Sequence, residues 1–441
     1  MNRKQLAVCT ALVAVLALGG PAFAEICTID DVPAATLLLP YFEVDLGNPN
    51  GVNTLFSINN ASAAPTIAHV TFWTDLSVPT LDFDVYLTGY DVQTISVRDI
   101  FNGDLPVTAD ADNDPGDANS PQGAFSGDAA FNLTSSGPCG QPAYPAGLPP
   151  EFTGNHLQPC HTGGVSSQYG GCCGANYNDN VARGYITVDN VTQCSLEFPS
   201  APTYWSTGVP SDVTQLWGDY FYTDTANAFA SGEALVHVEA CPTPSVGTGA
   251  NCSFVNPVTG RSFYGRYTTL DNREPLATTF ASRFFTSATG FDGGTDLYVW
   301  RNPNTANDSA GITCAPGDPN FPWLPMSQRQ VVAFDEFENP FVLCQQEADV
   351  SPPPPGQPTC FPLETGKYNI EDSQVPFSST LLPSGTPESG WLYLNLNTTS
   401  GNLNQAWVHT KLSAEGLFSV GENAIQLDNA CFTPIGGVVI P

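Results

Sequence analysis

The chain is expected to be mainly β, an antiparallel β-sandwich fold interrupted by one long, disulfide-stapled loop insertion. Three observations lead there. The 441 residues hold 40 glycines and 39 prolines but only 12% charged residues, with 11% aromatics. That composition fits short strands separated by many turns. Apolar residues recur at every second position in stretch after stretch, the rhythm of a strand with two unlike faces. Thirteen cysteines are present, and their even remainder after the leader points to bridges rather than to thiolate chemistry.

The N-terminal run "MNRKQLAVCTALVAVLALGGPAFA" sets a positive start (Arg3, Lys4) before an apolar stretch and small residues at Ala22-Phe23-Ala24. Residues 1–24 therefore read as a secretory signal peptide, cleaved before Glu25. The apolar run is shorter than the ~20 residues of a membrane span. Cys9 leaves with this segment, so twelve cysteines remain in a secreted or otherwise extracytoplasmic chain, where oxidation is their expected fate. Spacing suggests local loops: Cys139 with Cys160, Cys172 or Cys173 with Cys194, Cys241 with Cys252, Cys314 with Cys344. Cys27 and Cys431 would then tie the ends.

Residues 25–105 read as a compact strand region. In "TIAHVTFWTD" Ala68, Val70 and Phe72 share one face, opposite His69, Thr71 and Trp73. In "TLDFDVYLTGYD" Leu81, Phe83, Val85 and Leu87 alternate with Asp82, Asp84 and Tyr86. Each strand is expected to have an apolar side and a wet side. Residues 106–180 lack periodicity and are rich in Gly, Pro, Asn, Asp and Cys, so they form the insertion. Strand patterning returns over 181–349 in "GYITVDN", "ALVHVEA" and "TDLYVWR". Within it, Leu276, Phe280 and Phe284 repeat at four and predict a helix over 274–285. Residues 350–358 make a stiff Pro-rich connector. Residues 359–441, with Leu392, Leu394 and Leu396 opposite Trp391 and Tyr393, hold too few strands for a sandwich of their own and are expected to pack onto an earlier sheet.

The stretch from "LLLPYFEVDLG" through "NTLFSINN", "VTFW" and "FDVYL" to "ISVRDIF" covers roughly residues 36–101. It resembles immunoglobulin-like β-sandwich modules of bacterial surface proteins. The resemblance implies an immunoglobulin-like sandwich there, and no activity. The remainder, including "ARGYITVD" and "GGTDLYVWR", resembles exported bacterial proteins and implies no chemistry either.

A formal net charge of −31 repels nucleic acid and acidic membranes. Only Lys367 and Lys411 remain as lysines beyond the leader. Asp110, Asp112, Asp114 and Asp117 sit in "VTADADNDPGDANSPQGAF", and carboxylates at alternate positions can wrap Ca²⁺. Pro115 and Pro121 stand where a calcium hand needs Gly and Glu. The loop is thus read as solvated acidic surface, with a structural calcium site as the alternative; no other cofactor is expected. Cys160, His161, Cys172 and Cys173 could suggest zinc or a thiol nucleophile, but oxidation removes the thiolates both need. In "VVAFDEFENPF", Glu336 and Glu338 share a strand face and could act as the paired carboxylates of a glycoside hydrolase; a polar turn is the preferred reading. The tryptophans are read mostly as packing residues, with a sugar platform as the rival use. No nucleophile elbow, phosphate loop or zinc-helix motif occurs. The expected role is non-catalytic, a structural or interaction protein whose partner is a surface protein or a glycan. The alternative is a carbohydrate-active protein.

Overall fold

A computed structural model describes residues 32–106, 147–240, 262–302, 328–343, 360–361, 363–371, 382, 387–397, 404–414 and 418–427. The expected leader, the acidic loop with Asp110, Asp112, Asp114 and Asp117, and the Pro-rich connector lie outside these residues.

The first strands are β1 (Thr36–Asp45), β2 (Asn53–Asn60), β3 (Thr66–Trp73), β4 (Pro79–Leu87) and β5 (Val92–Ser96). A short helix, α1 (Val97–Asn102), follows. Ser96 caps its start by accepting from the Asp99 amide, and Gly103 ends it at φ 101°, a left-handed turn that favours glycine. Then come β6 (Val181–Val191), β7 (Leu216–Trp217), β8 (Asp219–Asp224), β9 (Phe229–Ala234) and β10 (Val236–Val238). These close two antiparallel sheets. Sheet I runs β10-β1-β6-β3-β4, and sheet II runs β5-β2-β8-β9 with β7 beside β2. Strands from 36–96 and from 181–238 thus share both sheets. Leu37, Val70, Phe72, Phe83, Ile186 and Val188 from sheet I meet Phe56, Ile58, Tyr220 and Tyr222 from sheet II in one core.

The C-terminal half supplies β11 (Thr279–Phe285), β12 (Gly294–Asn302), β13 (Gln330–Phe334), β14 (Pro340–Leu343), β15 (Thr365–Asn369), β16 (Ser389–Asn395), β17 (Gln405–Ala414), β18 (Phe418–Asn423) and β19 (Ile425–Gln426). Sheet III runs β15-β12-β17-β18 and sheet IV runs β14-β13-β16-β11-β19. Their shared core holds Phe280, Phe284, Leu297, Val299, Leu392 and Leu394. Strands from beyond residue 359 are woven between earlier ones, β16 between β13 and β11 and β17 beside β12.

Three expectations are corrected. The helix over 274–285 is instead β11: Phe280, Ser282 and Phe284 are buried while their neighbours are not, and β16 pairs with every residue from Thr279 to Phe285. A spacing of four satisfies a two-residue period as well as a helical one. The polar side of β3, β4 and β6 is not wet. His69, Thr71, Asp84, Thr187 and Asp189 are all buried, because Tyr204, Phe263, Tyr264, Trp300 and Trp407 cover that face of sheet I. Cys160 bonds to Cys173, not to Cys139; Cys172, Cys194 and Cys360 are also in disulfides. The Cys160–Cys173 bridge pins the described part of the insertion, where helical pieces α2 (Pro150–Phe152) and α3 (Gln158–Thr162) flank a π turn, Thr153–Leu157. Leu148 and Leu157 anchor this segment in the first core.

Candidate functional site

On β12, Leu297 and Val299 enter the core between sheets III and IV, so Asp296, Tyr298 and Trp300 face the first sandwich. Register places three side chains in each cross-strand rung of that face. Trp300 lies between Thr365 and Trp407, Tyr298 between Lys367 and His409, and Asp296 between Asn369 and Lys411. Polarity therefore rises along the sheet. The Trp300 rung is closed by packing: its ring stacks on Phe263 at 5.7 Å and meets Tyr185 edge-on at 5.9 Å. The Tyr298 rung is closed by rings, with Tyr222 stacked at 5.1 Å and Tyr41 at 5.2 Å. The Asp296 rung is left open. It borders a cavity of about 560 Å³ between the two sandwiches, within the range of small-ligand sites.

The opposite wall comes from the first sandwich. Glu43 on β1 and Arg183 on β6 are register partners, and the β8–β9 turn adds Asp224 and Asn227. Lys367 Nζ lies 3.2 Å from Glu43 and 4.0 Å from Asp296, Lys411 Nζ lies 3.3 Å from Asp296, and Arg183 pairs with Asp179. Each cation also covers a ring: Lys411 over Phe229 at 4.2 Å, Arg183 over Tyr177 at 4.3 Å, Lys367 over Tyr298 at 5.8 Å. Burial opposes the charge of Lys367, but Glu43 and Asp296 outweigh it and hold its pKa above the usual lysine range. Burial likewise pushes Asp179 up, and the two-pronged Arg183 contact more than reverses this. Lys367 and Asp179 are thus each held in the charged form by their partners.

Asp224 differs from the other carboxylates. Its oxygens accept from the Asn227 amide at 3.2 Å and from Asn227 Nδ2 at 2.7 Å. Among the described residues no basic side chain pairs with it.

A second polar cluster fills the covered face of sheet I. Asp189 accepts from Thr36 Oγ1, from Tyr204 OH at 2.9 Å and from Tyr264 OH at 3.1 Å. Arg273 Nε donates to Thr36 Oγ1, with Trp205 and Tyr264 rings beside the guanidinium at 5.5 Å and 5.9 Å. Nearby His69 Nδ1 sits 2.9 Å from Asp84. Burial alone would depress the His69 pKa, but Asp84, Asp82 and Asp189 raise it from 6.5 to about 9. His69, Asp189 and Arg273 have no exposed surface, so this cluster holds the fold and offers no entry to a ligand.

Glu336 and Glu338 lie on the turn between β13 and β14, away from the cavity lining. Glu336 pairs with Arg283 at 2.9 Å and accepts from Ser389 Oγ at 3.0 Å. The Arg283 hydrogen bond holds its pKa below the usual range, an arrangement for a carboxylate rather than a proton donor. Glu338 takes φ 64° in that turn. Cys160 is bonded to Cys173 and is neither a thiolate ligand nor a nucleophile. His161 instead contacts Thr80 Oγ1 at 2.7 Å, and burial lowers its pKa to about 3.

Motif reading missed the cavity because its charged residues come from separate strands and turns between Glu43 and Lys411. The one available signal was scarcity: both lysines after residue 24 converge on it. No protein family, curated protein or solved structure matches this chain. Among the described residues, no helix is long and apolar enough to cross a membrane.

Proposed function

We propose that the chain is an exported, non-catalytic interaction protein that binds a small polar ligand in the cavity between its sandwiches. The observation that carries this reading is the gathering of Arg183, Lys367 and Lys411 around one opening in a chain of net charge −31. Such convergence of charged and aromatic groups in a concave site is how ligand pockets achieve orientation. Export is supported by the leader-like N-terminus and by the disulfide chemistry of Cys160 and Cys173. An immunoglobulin-like type for the first sandwich is supported by its strand path, which passes from sheet I to sheet II and back between β1 and β5.

The test is a thermal-shift screen of the mature chain against amino acids, amines, sugars and sugar acids, repeated on Ala228→Trp. Ala228 is an exposed turn residue lining the cavity, so an indole there obstructs it. A class of compound should stabilise the parent and not the variant. If every hit stabilises both equally, the cavity is not the site.

The rival reading, glycan binding, has its own observation. Trp391 is 40% exposed on the outer face of sheet IV, with the Arg283 guanidinium 5.1 Å from its ring. A glycan array with parent and Trp391→Ala tests it: saccharide binding lost in the variant would favour the sheet face over the cavity.

A further inference from the structure

Among the described residues, the cavity lining does not balance. Three cations, Arg183, Lys367 and Lys411, face four carboxylates, Glu43, Asp179, Asp224 and Asp296. The three cations are taken up: Arg183 by Asp179, Lys367 by Glu43, Lys411 by Asp296. Asp224 is the carboxylate left over, neutralised by no basic side chain among the described residues and held in place through both oxygens by Asn227. A site one positive charge short is complementary to a ligand that carries one.

Three further features favour a cation over an anion. The net charge of −31 depletes anions near the surface and enriches cations. An anion docking on Lys411 or Lys367 would approach Asp296 or Glu43, each already within 3.3 Å of the same ammonium groups. Phe418 also lines the cavity and is half exposed, giving an organic body apolar surface and its charge a ring face, whereas Lys411 already covers the Phe229 ring. Small inorganic cations are served less well, since no group of three or more metal-binding side chains occurs among the described residues.

We propose that the cavity binds a small organic ammonium compound, a primary or methylated amine, with the Asp224 carboxylate as its anchor. This rests on the cavity being the ligand site. The experiment is calorimetric titration of the mature chain with butylamine, benzylamine, putrescine and tetramethylammonium, beside the matched neutral amides and carboxylates at constant ionic strength. Parent, Asp224→Asn and Ala228→Trp are compared; Asn keeps the turn acceptor and removes the charge. At least one amine should bind, weaken tenfold or more in Asp224→Asn, and be lost in Ala228→Trp, while its amide and carboxylate analogues do not bind. No binding by any amine, or equal binding of amide and amine, overturns the ligand class. Binding of a different compound class that is lost in Ala228→Trp overturns the class and keeps the cavity. Amine binding that survives Ala228→Trp overturns the cavity itself.

Discussion

His69 links the stability of the first sandwich to pH, and the sign follows from its surroundings. The imidazole is buried between Asp84 and Asp82 and titrates near 9 in the folded chain, against 6.5 when unfolded. Below pH 6.5 both states hold the proton and the full contribution is present. As pH rises through 9 the folded state must release a proton that the unfolded state has already lost, and the contribution disappears. The displacement corresponds to about 3 kcal/mol at 1.36 kcal/mol per unit. Asp75, raised by burial to about 7, acts in the same direction below that pH. His161 and His409, lowered by burial to about 3 and about 4, act oppositely only in acid, so the window from 6.5 to 9.5 belongs mainly to His69. Urea unfolding with disulfides kept oxidised would measure it, at high salt to screen surface repulsion. Trp73 reports locally, since its Nε1 donates to Thr187 on the same covered face. The parent should lose stability across the window and His69→Gln should show a much flatter profile. A flat parent profile, or an equal slope in the variant, would refute the reasoning.

Other outcomes follow from buried partners and close approaches. Asp189→Ala strips the acceptor from Thr36, Tyr204 and Tyr264 and leaves Arg273 facing a lost charge; roughly 3–5 kcal/mol should go, measured by denaturant midpoint. Gly184→Ala puts a methyl 2.0 Å from the Trp73 carbonyl oxygen, so a loss of at least about 1–3 kcal/mol is expected, visible as a lower Tm. Leu394→Ala empties a fully buried position in the second core and should cost about 2–5 kcal/mol by the same assay. Calcium titrated calorimetrically into parent and Asp112→Ala decides the acidic loop; identical flat traces would remove calcium.

Strand existence was legible because alternation is a local property. Leu392 and Leu394 are buried in the second core, Ala68, Val70 and Phe72 in the first. What lies across from a strand's second face is not local. Thr71 and Asp84 read as solvent-facing because polarity reports chemistry, not coverage, and their cover comes from residues beyond 200. Phe280 and Phe284 were misassigned because their spacing fits both periods, and only the pairing with β16 decides. The Cys160–Cys173 bridge was missed because loop spacing says nothing of the π turn that precedes Cys160. The cavity was least legible: its charges meet through the register of β1 with β6 and of β12 with β15 and β17, joined by Asp179 and Asp224 from segments beside them.

The placement of positive charge bears on the proposed amine site. Arg273 and Arg301 are fully buried and Arg266 nearly so, and Arg266 is fixed by Glu364 at 2.7 Å. Arg98 donates to the carbonyls of Asp45, Asn48, Gly51 and Val52, so its role is to fold a loop. With these arginines turned to internal tasks, carboxylates dominate the charge that faces solvent, and the field outside attracts cations over roughly the 8 Å screening length of physiological salt. Attraction alone would not discriminate among cations. On the amine reading the lining adds the discrimination, because Asp224 is the one lining carboxylate without a basic partner among the described residues and a second ammonium group meets only carboxylates that are already paired. Singly charged amines should therefore outcompete putrescine in the titration, although the surface field alone would rank the dication first.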